Sequence, residues 1–228
     1  MGIILKRKGI MAAKVLITGL ANTGKTTLLK SLKDALVISR DGKPFSLPIS
    51  HFNVPDYEHM EDLIAMIEEK ASYYESQKGT LPSTIAFDSV SRIFSDSEVN
   101  CMRGHKGYEV WSNINREINL FLNYLNTIQT HNTNLVLIAH AAWDAEAKKF
   151  IETCKGSFAK IGGFLSTVDY AINIDILGSK RIITHRGNNL SRTLLTDIPD
   201  KQDANTFNLQ EYIDKLITQS VIAEKWSI

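Results

Sequence analysis

The segment Gly19-Leu20-Ala21-Asn22-Thr23-Gly24-Lys25-Thr26 constrains this chain more than any other, because it fits G-x-x-x-x-G-K-[ST] at every fixed position. Residues 14–18, Lys-Val-Leu-Ile-Thr, read as a short buried strand before it. After it, Leu28, Leu29, Leu32 and Leu36 predict a helix over 25–36. Strand, glycine-rich turn and helix in that order gather backbone N–H groups around a phosphate, and the helix N-terminus adds positive potential. Gly19, Ala21, Asn22, Thr23, Gly24, Lys25, Thr26 and Thr27 form the expected cradle. Lys25 is expected to reach the β- and γ-phosphates and the Thr26 hydroxyl to hold Mg²⁺, so the expected ligand is ATP with Mg²⁺. A plain turn between strand and helix would need no lysine–threonine pair.

With 228 residues, the chain suits one α/β domain over 1–228, with short tails at 1–11 and 218–228. Hydrophobic content of 43% and charged content of 22% belong to a soluble globular protein. No apolar run approaches the roughly 18 residues of a membrane span, and the apolar start is too short for a signal peptide. A cytoplasmic, reducing setting without membrane association is expected. Cys101 and Cys154 form no Cys-x-x-Cys pair and read as free thiols. The net charge of +1 means that any nucleic-acid site must be local. Three basic clusters stand out: Lys6, Arg7, Lys8 and Lys14; Lys148, Lys149, Lys155 and Lys160; and Lys180, Arg181, Arg186 and Arg192. Taken by itself, each reads first as a solvated face.

Elements alternate as α/β units do. Residues 35–39 predict a second strand, ending at a turn over 40–44. Residues 55–77 predict an amphipathic helix with Met60, Leu63, Ile64, Ile67, Ala71 and Tyr74 on one face. Residues 83–88 predict a third strand, 108–130 a helix bearing Trp111 and Phe121 on its core side, and 134–140 a strongly apolar fourth strand. Residues 141–166 show no regular pattern. Strands are expected over 168–176, 181–185 and 192–196, and a closing helix over 208–217. Nearly continuous apolar strands indicate a parallel sheet covered on both faces, and the later short strands an antiparallel extension at one edge.

Asp88 closes the strand Thr-Ile-Ala-Phe-Asp, where a carboxylate can hold the Mg²⁺ shell or cap a turn; the phosphate loop upstream favours Mg²⁺. His140 closes the next strand and should lie at the ligand-binding carboxyl edge of the sheet, as a γ-phosphate sensor or as a rim histidine. Hydrolysis needs a group that orients or deprotonates water. No glutamate follows Asp88 directly, so Asp41 is the candidate base, though it also suits the Asp-Gly turn.

The succession GLANTGKT, TIAFDS and LVLIAHA over residues 12–217 resembles the RecA-type ATPase core, and is most similar to the RecA-like single-strand annealing ATPases of bacteriophages. The resemblance implies a loop after the γ-phosphate sensor that binds single-stranded DNA and closes on paired glycines. His140, the 141–160 segment and Gly162-Gly163 match that plan, which places Lys148, Lys149, Lys155 and Lys160 on the DNA loop beside Trp143, Phe150 and Phe158. Lysines for phosphates and aromatic faces for bases suit sequence-tolerant strand binding. Arg103 and Lys106, within 100–106, fall where the family's first DNA loop lies. The resemblance further implies a homo-oligomeric ring or filament whose ATP sites are completed by a neighbour's basic residues, here Arg186 or Arg192, and a single-strand binding protein as partner. A phage protein of this kind works in the host cytoplasm.

The expected function is therefore an ATPase that binds single-stranded DNA and promotes annealing or strand exchange in homologous recombination, slowly and with DNA stimulation. A small-molecule P-loop kinase and a nonhydrolysing ATP-sensing adaptor are the alternatives.

Overall fold

β1 (Lys14–Gly19), β2 (Ala35–Ser39) and β4 (Thr84–Asp88) are buried at every position, which requires cover on both faces of whatever sheet they join. A computed structural model describes residues 12–41, 45–130, 132–146, 148–154, 156–160 and 162–224. Its further strands are β3 (His51–Asn53), β5 (Asn134–Asp144), β6 (Lys149–Glu152), β7 (Tyr170–Leu177), β8 (Lys180–Thr184) and β9 (Lys201–Asp203). Strands run in the order β3-β2-β4-β5-β1-β7-β8-β9, parallel as far as β7 and antiparallel beyond it, with β6 folded back on β5. This is an α/β P-loop NTPase fold with the expected antiparallel edge.

The helices are α1 (Lys25–Leu28), α2 (Met60–Lys78), α3 (Val90–Gly104), α4 (Tyr108–Thr130), α5 (Gly156–Lys160) and α6 (Leu209–Glu224). Alternation along each strand divides the core into two layers. Leu16, Leu36, Ile38, Ile85, Phe87, Leu135 and Leu137 face α2, α3 and α4. Val15, Ile17, Val37, Ala86, Val136, Ile138 and Ile172 face the chain after the phosphate loop and α6. Phe94 on α3 is a hub: its ring lies 5.8 Å from Phe121, 5.2 Å from Phe158 and 4.7 Å from Phe164.

Several sequence expectations need correction. The helix over 25–36 is cut to α1 plus a 3-10 turn, Leu29–Ser31: Leu32 is already extended at ψ 143, and Asp34, at positive φ, then turns the chain into β2. The α2 helix starts at Met60 rather than residue 55, since its first N–H groups find acceptors only there: the Asp62 carboxylate takes the His59 N–H at 3.0 Å, and Glu117 takes that of Met60 at 2.5 Å. The α3 helix was absent from the sequence reading. Its buried stripe, Val90, Ile93, Phe94, Ser97 and Cys101, recurs at helical spacing, with Ser91 and Ser97 diluting its apolar character. Within 141–166 the described residues form the end of β5, the β6 strand, α5 and the start of a 3-10 helix, Gly163–Thr167. The strand over 192–196 reduces to one bridge between Ala171 and Arg192. The tail expected from residue 218 is helical as far as Glu224, and the tail at 1–11 lies outside the described residues.

Candidate functional site

The ends of β1, β2, β4 and β5 meet at the carboxyl edge of the sheet, and each delivers one chemical group. From β1 the chain curls through the phosphate loop, with Asn22 and Gly24 both at positive φ. Lys25, the first residue of α1, is buried, and its Nζ donates to the carbonyls of Gly19 at 2.9 Å and Leu20 at 2.6 Å. Thr26 Oγ1 donates to Asp88 Oδ2 at 2.6 Å. A hydroxyl and a carboxylate in contact, beside a phosphate cradle, are the hard oxygen donors that Mg²⁺ takes directly or through water, so these residues fit a Mg²⁺-nucleotide. Among the described residues no cluster of three or more His, Cys, Asp or Glu side chains could hold a metal by itself, so phosphate oxygens and water would complete the shell.

Asp41 is set by its neighbour. Arg40, at the end of β2, donates from Nε to Asp96 at 2.7 Å, from Nη1 to the Val54 carbonyl at 2.9 Å and from Nη2 to Asp56 at 2.8 Å. Its own N–H donates to the Asp88 carbonyl at 2.6 Å. This fork fixes the strand end and leaves Asp41 Oδ1 3.8 Å from His140 Nε2. Sequence reasoning gave the two residues separate roles; the fold makes them a pair. His140 is in turn tied to the protein on both sides of its peptide. Its N–H donates to Ser91 Oγ at 3.0 Å, and its carbonyl accepts from the N–H of Thr153 at 2.8 Å and from Thr153 Oγ1 at 3.1 Å.

Two cavities meet at that pair. One, of about 360 Å³, is lined by Ala21, Asn22, Gly24, Lys25, Thr26, Thr27, Asp41, Asp88, His140 and Arg181, among others. The second, of about 490 Å³, shares Asp41 and His140 and extends between α3, α4 and the β5–β6 hairpin, past Trp111, Glu98 and Glu152. Trp111, expected in the core, is 47% exposed on that wall. Arg181 and Ser91 were not assigned to the site from sequence; only the third basic cluster hinted at Arg181.

The remaining candidates are scattered. Lys148, at positive φ, and Lys149 stand exposed at the turn of the β5–β6 hairpin, and Trp143 on the same hairpin is 57% exposed with its ring 5.2 Å from Phe150. Lys160 is exposed at the end of α5, and Lys155 lies outside the described residues. Phe158 is a correction: it is only 3% exposed and packs on Phe94 and Phe164, so it offers no face to a base. Residues 100–104, including Arg103, are the last turn of α3 rather than a loop; Lys106 follows in the short connection to α4. Arg186 sits 3.2 Å from Asp200 and donates to the Ile198 carbonyl at 2.6 Å. Arg192 donates to the carbonyls of Val168 and Leu165, fastening the end of the 3-10 helix.

Gly162 and Gly163 have a structural explanation. Glu152 on β6, 7% exposed, accepts the N–H of Phe164 at 2.7 Å and of Leu165 at 2.8 Å, and a Cβ on Gly163 would fall 2.6 Å from its carboxylate. Burial pushes the Glu152 carboxyl up to about 7, against the lowering by those two bonds. The folded protein thus binds this proton more tightly than the unfolded chain. The stability it confers is full below the ordinary value of 4.5 and is lost as pH rises through about 7. Urea denaturation at about pH 5 and about pH 8 should show wild-type protein losing roughly 2 kcal/mol from this group, and Glu152→Gln should remove that loss. Burial likewise raises the neighbouring Cys154 thiol to about 11, so it is no ready nucleophile.

The family model described as AAA domain matches residues 11–204. No curated protein matches the chain.

Proposed function

The chain belongs to the AAA-domain family of P-loop ATPases, and we propose on that premise that it is a RecA-like, ATP-dependent single-stranded-DNA binding protein of the phage annealing type. The observation that carries this reading is the continuity of β5. One strand, Asn134–Asp144, holds His140 in the nucleotide cavity and then runs into the hairpin that bears Trp143, Lys148 and Lys149.

In this reading Lys25 and the loop N–H groups bind the phosphates, and Thr26 with Asp88 holds Mg²⁺. When bound, Mg²⁺ neutralises the charge that develops on the phosphates. Asp41 orients and deprotonates the attacking water, and His140 stands beside both. Movement of His140 is passed to the hairpin through its carbonyl, which Thr153 grips twice. ATP therefore sets the hairpin for a strand whose phosphates meet the lysines and whose bases stack on Trp143. Copies assemble into a ring or filament, and Arg186 of one reaches the γ-phosphate of the next. Its own ion pair with Asp200, which is 72% exposed, is weak enough to exchange.

A second reading, phosphoryl transfer to a small acceptor, is favoured by the 490 Å³ cavity that joins the nucleotide site at Asp41 and His140. ATP hydrolysis with and without single-stranded DNA separates the two. The DNA reading expects turnover to rise about tenfold with DNA and the rise to disappear in Lys148→Ala/Lys149→Ala, with basal turnover kept. Turnover indifferent to DNA, with no DNA binding in ATP, would sink it in favour of the kinase. ATP binding with no turnover at all would mark an adaptor.

A further inference from the structure

We infer that Arg181 is a nucleotide-binding residue that contacts the α- and β-phosphates of ATP held by its own chain. The inference rests on the ATP-binding reading of the phosphate loop and adds a cation that the loop motif does not contain.

Topology brings Arg181 to the loop. β7 runs parallel to β1 with Asn173 opposite Thr18, so residues beyond Ile174 project past the start of the phosphate loop. The hairpin then reverses, and β8 returns with Arg181 paired to Ile176. Arg181 thereby hangs over the carboxyl edge of β1. The contact is close: a Cβ built on Gly24 would lie 3.2 Å from Arg181 Cδ, 3.3 Å from Nε and 3.5 Å from Cζ. Gly24 has φ +96 and no side chain, so the guanidinium end of Arg181 rests against the bare backbone of the loop.

Charge completes the argument. Arg40, Arg92, Arg116 and Arg186 each have a carboxylate partner. Among the described residues Arg181 has none, although it lines the same cavity as Asp41 and Asp88. Asp88 is engaged with Thr26, and Asp41 lies beside His140. A planar donor fork kept clear of acids, next to N–H groups that cradle phosphate, matches a phosphate bidentately. The loop N–H groups serve the α- and β-phosphates while Lys25 reaches onward to the γ, so a cation seated on Gly24 meets the α/β end. Arg186 and Arg192, by contrast, bond elsewhere in their own chain and do not line this cavity.

The test is calorimetric titration of wild type, Arg181→Ala and Arg181→Lys with ATP and with ADP. Loss of one charge-assisted contact should weaken both nucleotides by a similar factor, about 10- to 30-fold in the alanine variant and a few-fold in the lysine variant. The factor should not change on dilution, because the contact is within one chain. The melting temperature without nucleotide should stay put, since the side chain is exposed. Unchanged affinities, a loss confined to ATP, or a factor that disappears on dilution would each overturn the assignment. Wild-type protein that binds neither nucleotide would overturn the phosphate-loop reading itself, a different and recognisable failure.

Discussion

Lys25→Ala should lower single-turnover ATP hydrolysis by about 10³-fold, the largest functional effect expected of any substitution in this chain. Lys25 is only 6% exposed, and its ammonium is aimed by the loop itself, through bonds to Gly19 and Leu20, at the place where phosphate charge develops. In a partly desolvated site such a charge acts without reorganisation, which is why its loss is expressed mainly in the rate. The same bonds give the substitution a structural cost: the buried Gly19 carbonyl loses a donor, worth about 1–2 kcal/mol, while that of Leu20 keeps Thr23 Oγ1 at 2.9 Å. Circular dichroism and a melting curve separate the two effects, because α1 and β1 are held by core packing independent of Lys25. A folded variant that turns over within tenfold of wild type would move the main charge stabilisation to an arginine and refute the role given to Lys25.

How much of this was legible beforehand follows from the range of the interactions. The strands β1, β2, β4 and β5, the α4 helix and the phosphate loop announce themselves through local pattern: apolar runs, a helical stripe, a fixed motif. Asp88 and His140 could be placed because strand ends in such a fold share one edge. The Asp41–His140 pair could not, since its 3.8 Å separation depends on Arg40 anchoring to Asp96 on α3, 56 residues away in sequence. Arg181 was invisible as a site residue for a similar reason: only the β7–β8 hairpin carries it back over Gly24. The described residues of 141–166 show no single periodicity because they form short elements of different kinds, ordered by pairing on β5, by Phe158 packed on Phe94 and Phe164, and by the buried Glu152 carboxylate against Gly163.

That carboxylate and glycine yield the largest expected effect on stability: Gly163→Ala should destabilise the protein by about 3 kcal/mol. Two costs combine. At φ +59 an alanine is strained by roughly 1 kcal/mol relative to glycine. Its Cβ would also sit 2.6 Å from Glu152 Oε2 and 2.7 Å from Cys154 Sγ. Glu152 has nowhere to go without loss, because Oε2 accepts from Phe164 and Oε1 from Leu165, the next two residues of the very 3-10 helix that the alanine would push away. A double-mutant cycle in urea isolates the contact: with Glu152→Ala as background, the cost of Gly163→Ala should fall by the Glu152 share, leaving the backbone strain and the Cys154 contact. If the full cost survives in that background, the clamp is not what demands glycine here. The cycle also bears on mechanism, because β6 pairs with the strand that carries His140 and lies between it and the 3-10 helix. On the proposed DNA-binding reading, loosening Gly163 should therefore blunt DNA stimulation in the folded fraction while ATP affinity is retained.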